Sequence, residues 1–387
     1  MKSSRSEVRR KTHRIPFLRF EDQKLTSFSG LLVFQKLFEH LCIKSKLRQC
    51  FKHLKVSPIF GHANIVLLLI VHLLLGYRDL RHVRYYNDDP LVCRLLGLTR
   101  LPDIATMSRT LANTDEQSVT ALQDLMISMV IERIQSLHLA RITLDFDGSV
   151  IGTGRYAEGT AIGFNKKKKG QRSYYPLFCT IAQTGQVFDV LHRSGNVHDS
   201  KGAQAFILNC IKQVRLALPE VIVEVRMDSA FFSDAIVKAL DQKKIEYTIS
   251  VPFERFSELK AKIETRIRWY PMDKQCDYFE SDWKPKSWNR RHRFIFVRQF
   301  SKVQNKKPVQ LDLFVPYESD FEFKVILTNK LLTAAKITAF HNGRGSQENI
   351  FSALKSQNQL DYVPTRTWCG NKVYMLCVLL AHNLNKE

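Results

Sequence analysis

Two carboxylates stand two residues apart in RITLDFDGSV, residues 141–150. Ile142, Leu144 and Phe146 alternate there with Thr143, Asp145 and Asp147, a period of two that predicts a half-buried strand with both acids on its polar face. Like charges so placed resist ionising together unless a counter-ion is present. A divalent cation would relieve that cost; the competing reading is an edge strand whose solvent face happens to be acidic. A third acid, Asp228, follows the short apolar stretch 221–227, and carboxyl ends of strands are where α/β sheets gather ligands. Further on, AFHNGRGSQENIFSALK (339–355) carries His341, Arg344, Glu348 and Lys355 at separations of three, four and seven residues. That spacing puts all four on one face of a helix. Gly343 and Gly345 each weaken a continuous helix by roughly 1 kcal/mol, so a restart capped by Ser346 is predicted, which leaves Glu348 and Lys355 on a common face. Ordinary surface charge on an amphipathic helix is the plainer alternative for this segment.

The elements that must hold these groups follow from periodicity. Residues 1–24 are basic and lack apolar repeats, which predicts a mobile arm. Residues 25–139 have helical spacing. Within them, 95–113 reads as two short helices around Pro102, compatible with a helix-turn-helix presenting Ser108, Arg109 and Thr110 and equally with plain bundle packing. The apolar run 65–75 is too short to span a bilayer and predicts a buried helix in which His72 is a satisfied core residue. After the acidic strand come strands over 173–182 and 187–193 and a helix capped by Asp199 or Ser200 and running to about 218. A strand at 221–227, a helix at 233–243 and a strand at 246–251 complete a β-β-β-α-β-α-β order, a partly parallel sheet. Residues 253–330 change character: Trp269, Trp283 and Trp288 interleave with Lys284, Lys286, Arg290, Arg291 and Arg293, and strands are predicted at 293–297, 309–315 and 323–327. Aromatics among cations suit nucleic acid; they equally suit the small core of a β-rich insertion. The last segment, 331–387, is helical again and ends in a helix expected to pack on the sheet. The chain thus divides into a basic arm (1–24), a helical DNA-binding block (25–139), a core in two parts (140–252 and 331–387) and a β-rich insertion (253–330).

Charge narrows the partner. Among 387 residues, 59 Lys and Arg face 37 Asp and Glu, a net charge of +22, spread along the chain rather than gathered on one amphipathic helix. A polyanion is the natural partner, and nucleic acid fits better than a membrane surface. Eight cysteines without CxxC spacing, in a chain without an export signal, predict reduced thiols in the cytoplasm.

The spacing His341-x2-Arg344-x3-Glu348-x6-Lys355 resembles the Tyr-x2-Arg-x3-Glu-x6-Lys signature of a large group of bacterial insertion-sequence DDE transposases, with histidine in the tyrosine place. DGS at 147–149 and MDSAFF at 227–232 resemble the stretches around that group's first and second catalytic aspartates, and GFNKKKKGQRSYYPL (163–177) is similar to a lysine-rich stretch of one subgroup. The resemblance spans about residues 140–385. It implies a ribonuclease-H-like α/β core interrupted by a β-rich insertion, with Asp147, Asp228 and Glu348 as catalytic residues holding two Mg²⁺ ions, Mn²⁺ substituting. Asp147 is preferred to Asp145 as first acid because Gly148-Ser149 follow it. On this reading Asp147 bridges both ions while Asp228 and Glu348 hold one each. Arg344 and Lys355 clamp phosphates, and His341, Lys166, Lys167, Lys168, Lys169, Trp283, Trp288, Arg290 and Arg291 join the DNA-binding set. Double-stranded DNA, as terminal inverted repeats and target, a homodimer in the synaptic complex, no membrane and a place at the bacterial nucleoid are implied with it. A nuclease of the same fold without strand transfer, and a non-catalytic DNA-binding derivative, are the rival functions.

Overall fold

The computed structural model describes residues 25–55, 60–163, 165, 168–198, 201–300 and 321–387. The expected basic arm, the cap at Asp199 or Ser200, Lys166 and Lys167, and the strand expected over 309–315 lie outside the described residues.

Helices open the described chain: α1 (Leu31–His40), α2 (Ile43–Cys50), α3 (His62–Leu74), α4 (Pro90–Leu96), α5 (Ile104–Ala112) and α6 (Glu116–Ser136). Their ends follow local chemistry. Asp89 accepts the backbone N–H groups of Leu91 and Val92 while Pro90 opens α4, and Gly97, at φ 71°, ends it, the usual division of labour between a capping acid, a leading proline and a trailing glycine. The apolar stretch at 65–75 is a buried helix as expected, α3; inside it His72 Nδ1 meets the Tyr86 hydroxyl at 2.6 Å, while Nε2 is buried without a hydrogen-bond partner among the described residues, so the expected satisfied histidine is only half satisfied. No helix among the described residues is long and apolar enough to cross a membrane. All eight cysteines are free thiols.

A large mixed sheet follows, built of β1 (Arg141–Gly148), β5 (Leu177–Ile181), β6 (Val187–Leu191), β7 (Ile222–Met227), β8 (Glu246–Ser250), β9 (Tyr270–Pro271), β10 (Cys276–Trp283), β11 (His292–Phe300) and β12 (Phe321–Thr328). Its order is β6-β5-β1-β7-β8-β12-β11-β10-β9. Strands β1, β7 and β8 run parallel; helix α7 (Ala203–Ala217) leads from β6 into β7 and helix α8 (Asp234–Gln242) from β7 into β8. The other pairings are antiparallel. The short strands β2 (Ile151–Gly152), β3 (Ala161–Ile162) and β4 (Arg172–Tyr174) form a separate small sheet between β1 and β5.

Residues 253–330 are rich in strands, yet among the described residues they build no sheet of their own. β12 pairs with β8 through Ile326 and Ser250, so β12 to β9 prolong the sheet that begins at β6. One apolar cluster runs across that join, from Ile142, Leu144 and Phe146 to Phe279, Trp283, Trp288 and Phe294, and takes in α7, α8 and α9 (Ser257–Glu264). The opposite cluster combines the amino-terminal helices with α11 (Ser346–Ser356), α12 (Trp368–Leu384) and the sheet residues Phe178, Val187 and Val190. The last helix therefore packs both on α3, α5 and α6 and on the sheet edge, where Asn383 bonds both the N–H and the C=O of Val187.

Strand β1 departs from its expected half-buried state. Thr143 and Asp145, on the face expected to meet solvent, are buried, because Glu224 and Gln183 close on the Thr143 hydroxyl and the Arg226 guanidinium closes on Asp145. Toward the amino ends of the parallel strands, Arg141 pairs with Glu224 at 3.0 Å and Glu246 at 2.7 Å, and the buried Lys330 ammonium pairs with the same two carboxylates. This network ties β1, β7, β8 and the end of β12 together and leaves the carboxyl ends of the strands to the site.

Candidate active site

In the parallel pairing of β1 with β7, Asp145 lies opposite Arg226 and Phe146 opposite Met227. The two strands therefore deliver Asp147 and Asp228 side by side at the carboxyl edge of the sheet. Asp147 Oδ1 accepts the Gly148 N–H at 2.7 Å, and Asp228 Oδ1 accepts the Ala230 N–H at 2.9 Å, capping a single 3₁₀ turn. Asp147 Oδ2 lies 3.3 Å from Arg344 Nη1. Asp145 is differently employed: at 1% exposure, both of its oxygens accept from the Arg226 fork at 2.7 Å. Burial pushes its carboxyl above the usual range and the guanidinium opposes that shift. Both of its oxygens are thus engaged by Arg226, whereas Asp147 faces Arg344.

The third segment is a helix α10 (Ala334–Asn342), a 3₁₀ turn over Gly343–Gly345, and α11 beginning at Ser346. Ser346 is the first residue of α11 rather than its cap. Gln347, wholly buried, donates to the backbone carbonyl of Asp145 at 3.0 Å and so seats the first turn of α11 on β1. Glu348 is the next residue, exposed in that turn; Lys355 is half-buried two turns on. The four residues of the signature do not share one face. His341, expected at DNA, is 3% exposed and is held between Thr248 Oγ1 at 2.9 Å and Ser250 Oγ at 2.8 Å on β8. Burial lowers its pKa to about 3, so it stays neutral. Its side chain is a latch between α10 and the sheet.

Two of the tryptophans are enclosed in the same way. Trp283 is 7% exposed and donates to Glu258 at 2.8 Å, while Trp288 is 5% exposed and stacks on Phe232 at 4.8 Å. Both belong to the apolar cluster that also holds Phe279 and Phe294, and Trp283 meets the rings of Phe256 and Phe294 edge-on. Trp269 is half-buried, with Arg298 over its ring at 4.8 Å. Replacing Trp288 by alanine is expected to remove about 3–5 kcal/mol of stability, read from the urea midpoint. A wild-type midpoint combined with weakened DNA binding would instead restore the contact role.

Of the expected cationic residues, Lys168 and Lys169 are exposed in the turn before β4, and Arg290 and Arg291 are exposed between β10 and β11, with Arg290 3.9 Å from Asp241. One cation at the site was missed from sequence. Lys324 donates to Asn342 at 2.7 Å, and partial burial together with the nearby Arg344 guanidinium lowers its pKa. It borders a concavity of about 300 Å³ that begins at Ser229, beside Asp228, and includes Ser250 and Arg255. The alternation of the β12 strand could have exposed it, since Phe323 and Val325 flank a lone lysine.

Hard oxygen donors on adjacent strand ends are what Mg²⁺ or Mn²⁺ takes, so the donor chemistry at Asp147 and Asp228 fits a divalent ion. Among the described residues no three His, Cys, Asp or Glu side chains close into a group that could hold a metal. Arg344 supplies the positive charge at Asp147.

Three comparisons bear on identity. No curated protein sequence matches the chain. Among solved structures, similarity extends to a piggyBac transposase synaptic complex with hairpin DNA, at 14% identity and a TM-score of 0.46 over 91% of this chain and 73% of that one. It extends also to a Mos1 transposase paired-end complex with the left transposon end, at 11% identity and a TM-score of 0.22 over 50% of this chain and 60% of that one. The family model described as Transposase DDE domain group 1 matches residues 10–387, nearly the whole chain, and the protein belongs to that family.

Proposed function

We propose that this chain is the transposase of a bacterial insertion sequence, which cuts DNA at its element's ends and joins the freed ends to target DNA, acting as a homodimer at the nucleoid. The observation that carries this reading is the pairing of Asp147 and Asp228 at the ends of adjacent parallel strands, with Arg344 against Asp147. The β-β-β-α-β-α-β order around them supports a ribonuclease-H-like core.

In this reading Asp147, Asp228 and Glu348 hold two Mg²⁺ ions, and Mn²⁺ substitutes. Such ions, when bound, supply activation of an attacking hydroxyl and stabilisation of the leaving oxygen. The chain's own cations do the positioning. Arg344 presents a fixed fork of donors with no acceptor capacity, which suits it to clamp the scissile phosphate next to the acid it already touches. Lys355 and Lys324 add charge on either side. Lys168, Lys169, Arg290 and Arg291, all exposed, are proposed to meet backbone phosphates, contacts that give affinity without sequence preference, and the same role is proposed for Lys166 and Lys167.

A supercoiled-plasmid integration assay with cognate ends and Mg²⁺ tests the reading: joined products support transposition, nicks alone support a hydrolase, and no cleavage of any kind overturns both. Binding should also be dominated by phosphate contacts, given the +22 charge. Log affinity for end DNA is expected to fall with log salt by roughly 0.9 per phosphate neutralised, and a flat salt titration would remove the electrostatic argument.

A further inference from the structure

Two residues before each proposed strand-end acid stands a partner in a buried ion pair: Asp145 before Asp147 on β1, and Arg226 before Asp228 on β7. Period two puts Asp145 and Asp147 on one face, and Arg226 and Asp228 on the same face of the next strand. The pair therefore lies one pleat deeper than the site, roughly 6–7 Å along the strands. All three guanidinium nitrogens of Arg226 are engaged. Nε and Nη2 meet Asp145 at 2.7 Å each, and Nη1 donates to the Phe340 carbonyl at 2.8 Å. Gly343 crosses immediately above, where an added Cβ would stand 2.3 Å from Nη1, so a side chain there would displace the guanidinium. Gln347 completes the arrangement by donating to the Asp145 carbonyl. Three contacts, from positions 340, 343 and 347, thus bracket Arg344 and adjoin Glu348; the first two fall on the Arg226 guanidinium and the third on the backbone of Asp145, its partner.

We infer that Asp145 and Arg226 are positioning residues: a strut that seats the segment bearing Arg344 and Glu348 on the strands that end in Asp147 and Asp228. The inference rests on the catalytic reading above and names what sets its geometry. Stability alone gives little reason for such a pair, since apolar replacements of buried ion pairs are often neutral or stabilising. A fork that reaches a carboxylate on one strand and a carbonyl on a helix end fixes distance and angle at once, and phosphoryl transfer is intolerant of shifts near 1 Å.

The test uses the full chain, Arg226→Lys and Gly343→Ala. Lysine keeps a charge on Asp145 and cannot span to Phe340 as well; alanine leaves the charges intact and disturbs the crossing. Four quantities are measured: the urea midpoint, affinity for end DNA, turnover at saturating DNA, and Mn²⁺ affinity of the DNA-free protein by electron paramagnetic resonance. The expected result is a near wild-type midpoint and DNA affinity in at least one variant, with turnover and Mn²⁺ affinity each reduced on the order of 10–100-fold, the range for loss of an outer-sphere partner. Wild-type turnover and Mn²⁺ affinity in a folded variant overturn the strut. So does unfolding of both variants, which would make the pair a core contact and nothing more. Glu348→Gln separates the two levels: if it cleaves normally the catalytic reading falls and the strut with it, and if it is inactive while both strut variants behave as wild type, the strut alone falls.

Discussion

Asp147→Asn is expected to abolish end cleavage while leaving the binding of end DNA near wild type, and Asp228→Asn and Glu348→Gln are expected to do the same. A carboxylate that holds a catalytic cation is worth several kcal/mol of transition-state charge stabilisation, and about 4 kcal/mol is roughly a 10³-fold loss in rate. None of the three acids clamps a phosphate, so gel-shift affinity should stay within about twofold. Arg344→Ala separates the roles from the other side. It removes the cation 3.3 Å from Asp147 and should weaken binding and slow the reaction without stopping it. Measurable Mg²⁺-dependent cleavage by all three acid variants would end the assignment.

The second large effect concerns the neighbouring acid and appears in stability. Asp145→Asn leaves the Arg226 guanidinium, 6% exposed, without its counter-charge, and breaking a buried pair by removing one member costs about 3–5 kcal/mol. The urea midpoint should fall accordingly. Asp147→Asn should barely move it, because the Asp147 side chain is 22% exposed and its contact with Arg344 is long at 3.3 Å. Two acids on one face of one strand are thus expected to separate completely, one by denaturation and the other by rate. A stable, inactive Asp145→Asn together with an active Asp147→Asn would move the first acid of the site back by one pleat.

Much of the architecture was legible in the residues alone, for local reasons. Apolar alternation in 141–148 and the compact apolar stretches at 222–227 and 246–250 marked the strands of the core within a residue or two. The helix expected over 233–243 is α8, and Ser233 caps it, its Oγ accepting the Ile236 N–H. Strand β10 was missed because CDYFESDW carries three acids and one inward aromatic pair, a weak apolar signal whose partner, β11, supplies the rest of the core.

The site divides along the same line. The amino-acid sequence by itself determined which residue types were available, their spacing, and the family to which the chain belongs, because carboxylates at strand ends and the 344-348-355 spacing are properties of one segment at a time. Only the tertiary structure decided what each neighbour does with them. Asp145 and Asp147 are indistinguishable in periodicity; Arg226, 81 residues away, claims the first and leaves the second beside Arg344. His341 matches the signature's spacing, yet Thr248 and Ser250 draw it inward. Trp283 and Trp288 have the composition of a nucleic-acid surface and the surroundings of a core. Residues 253–330 read as a module, yet β12 finds its hydrogen-bond partner in β8. In each case the deciding term is a contact between distant segments, and desolvation makes that contact decisive: a charge or ring taken out of water must be matched by whichever group the fold brings to it.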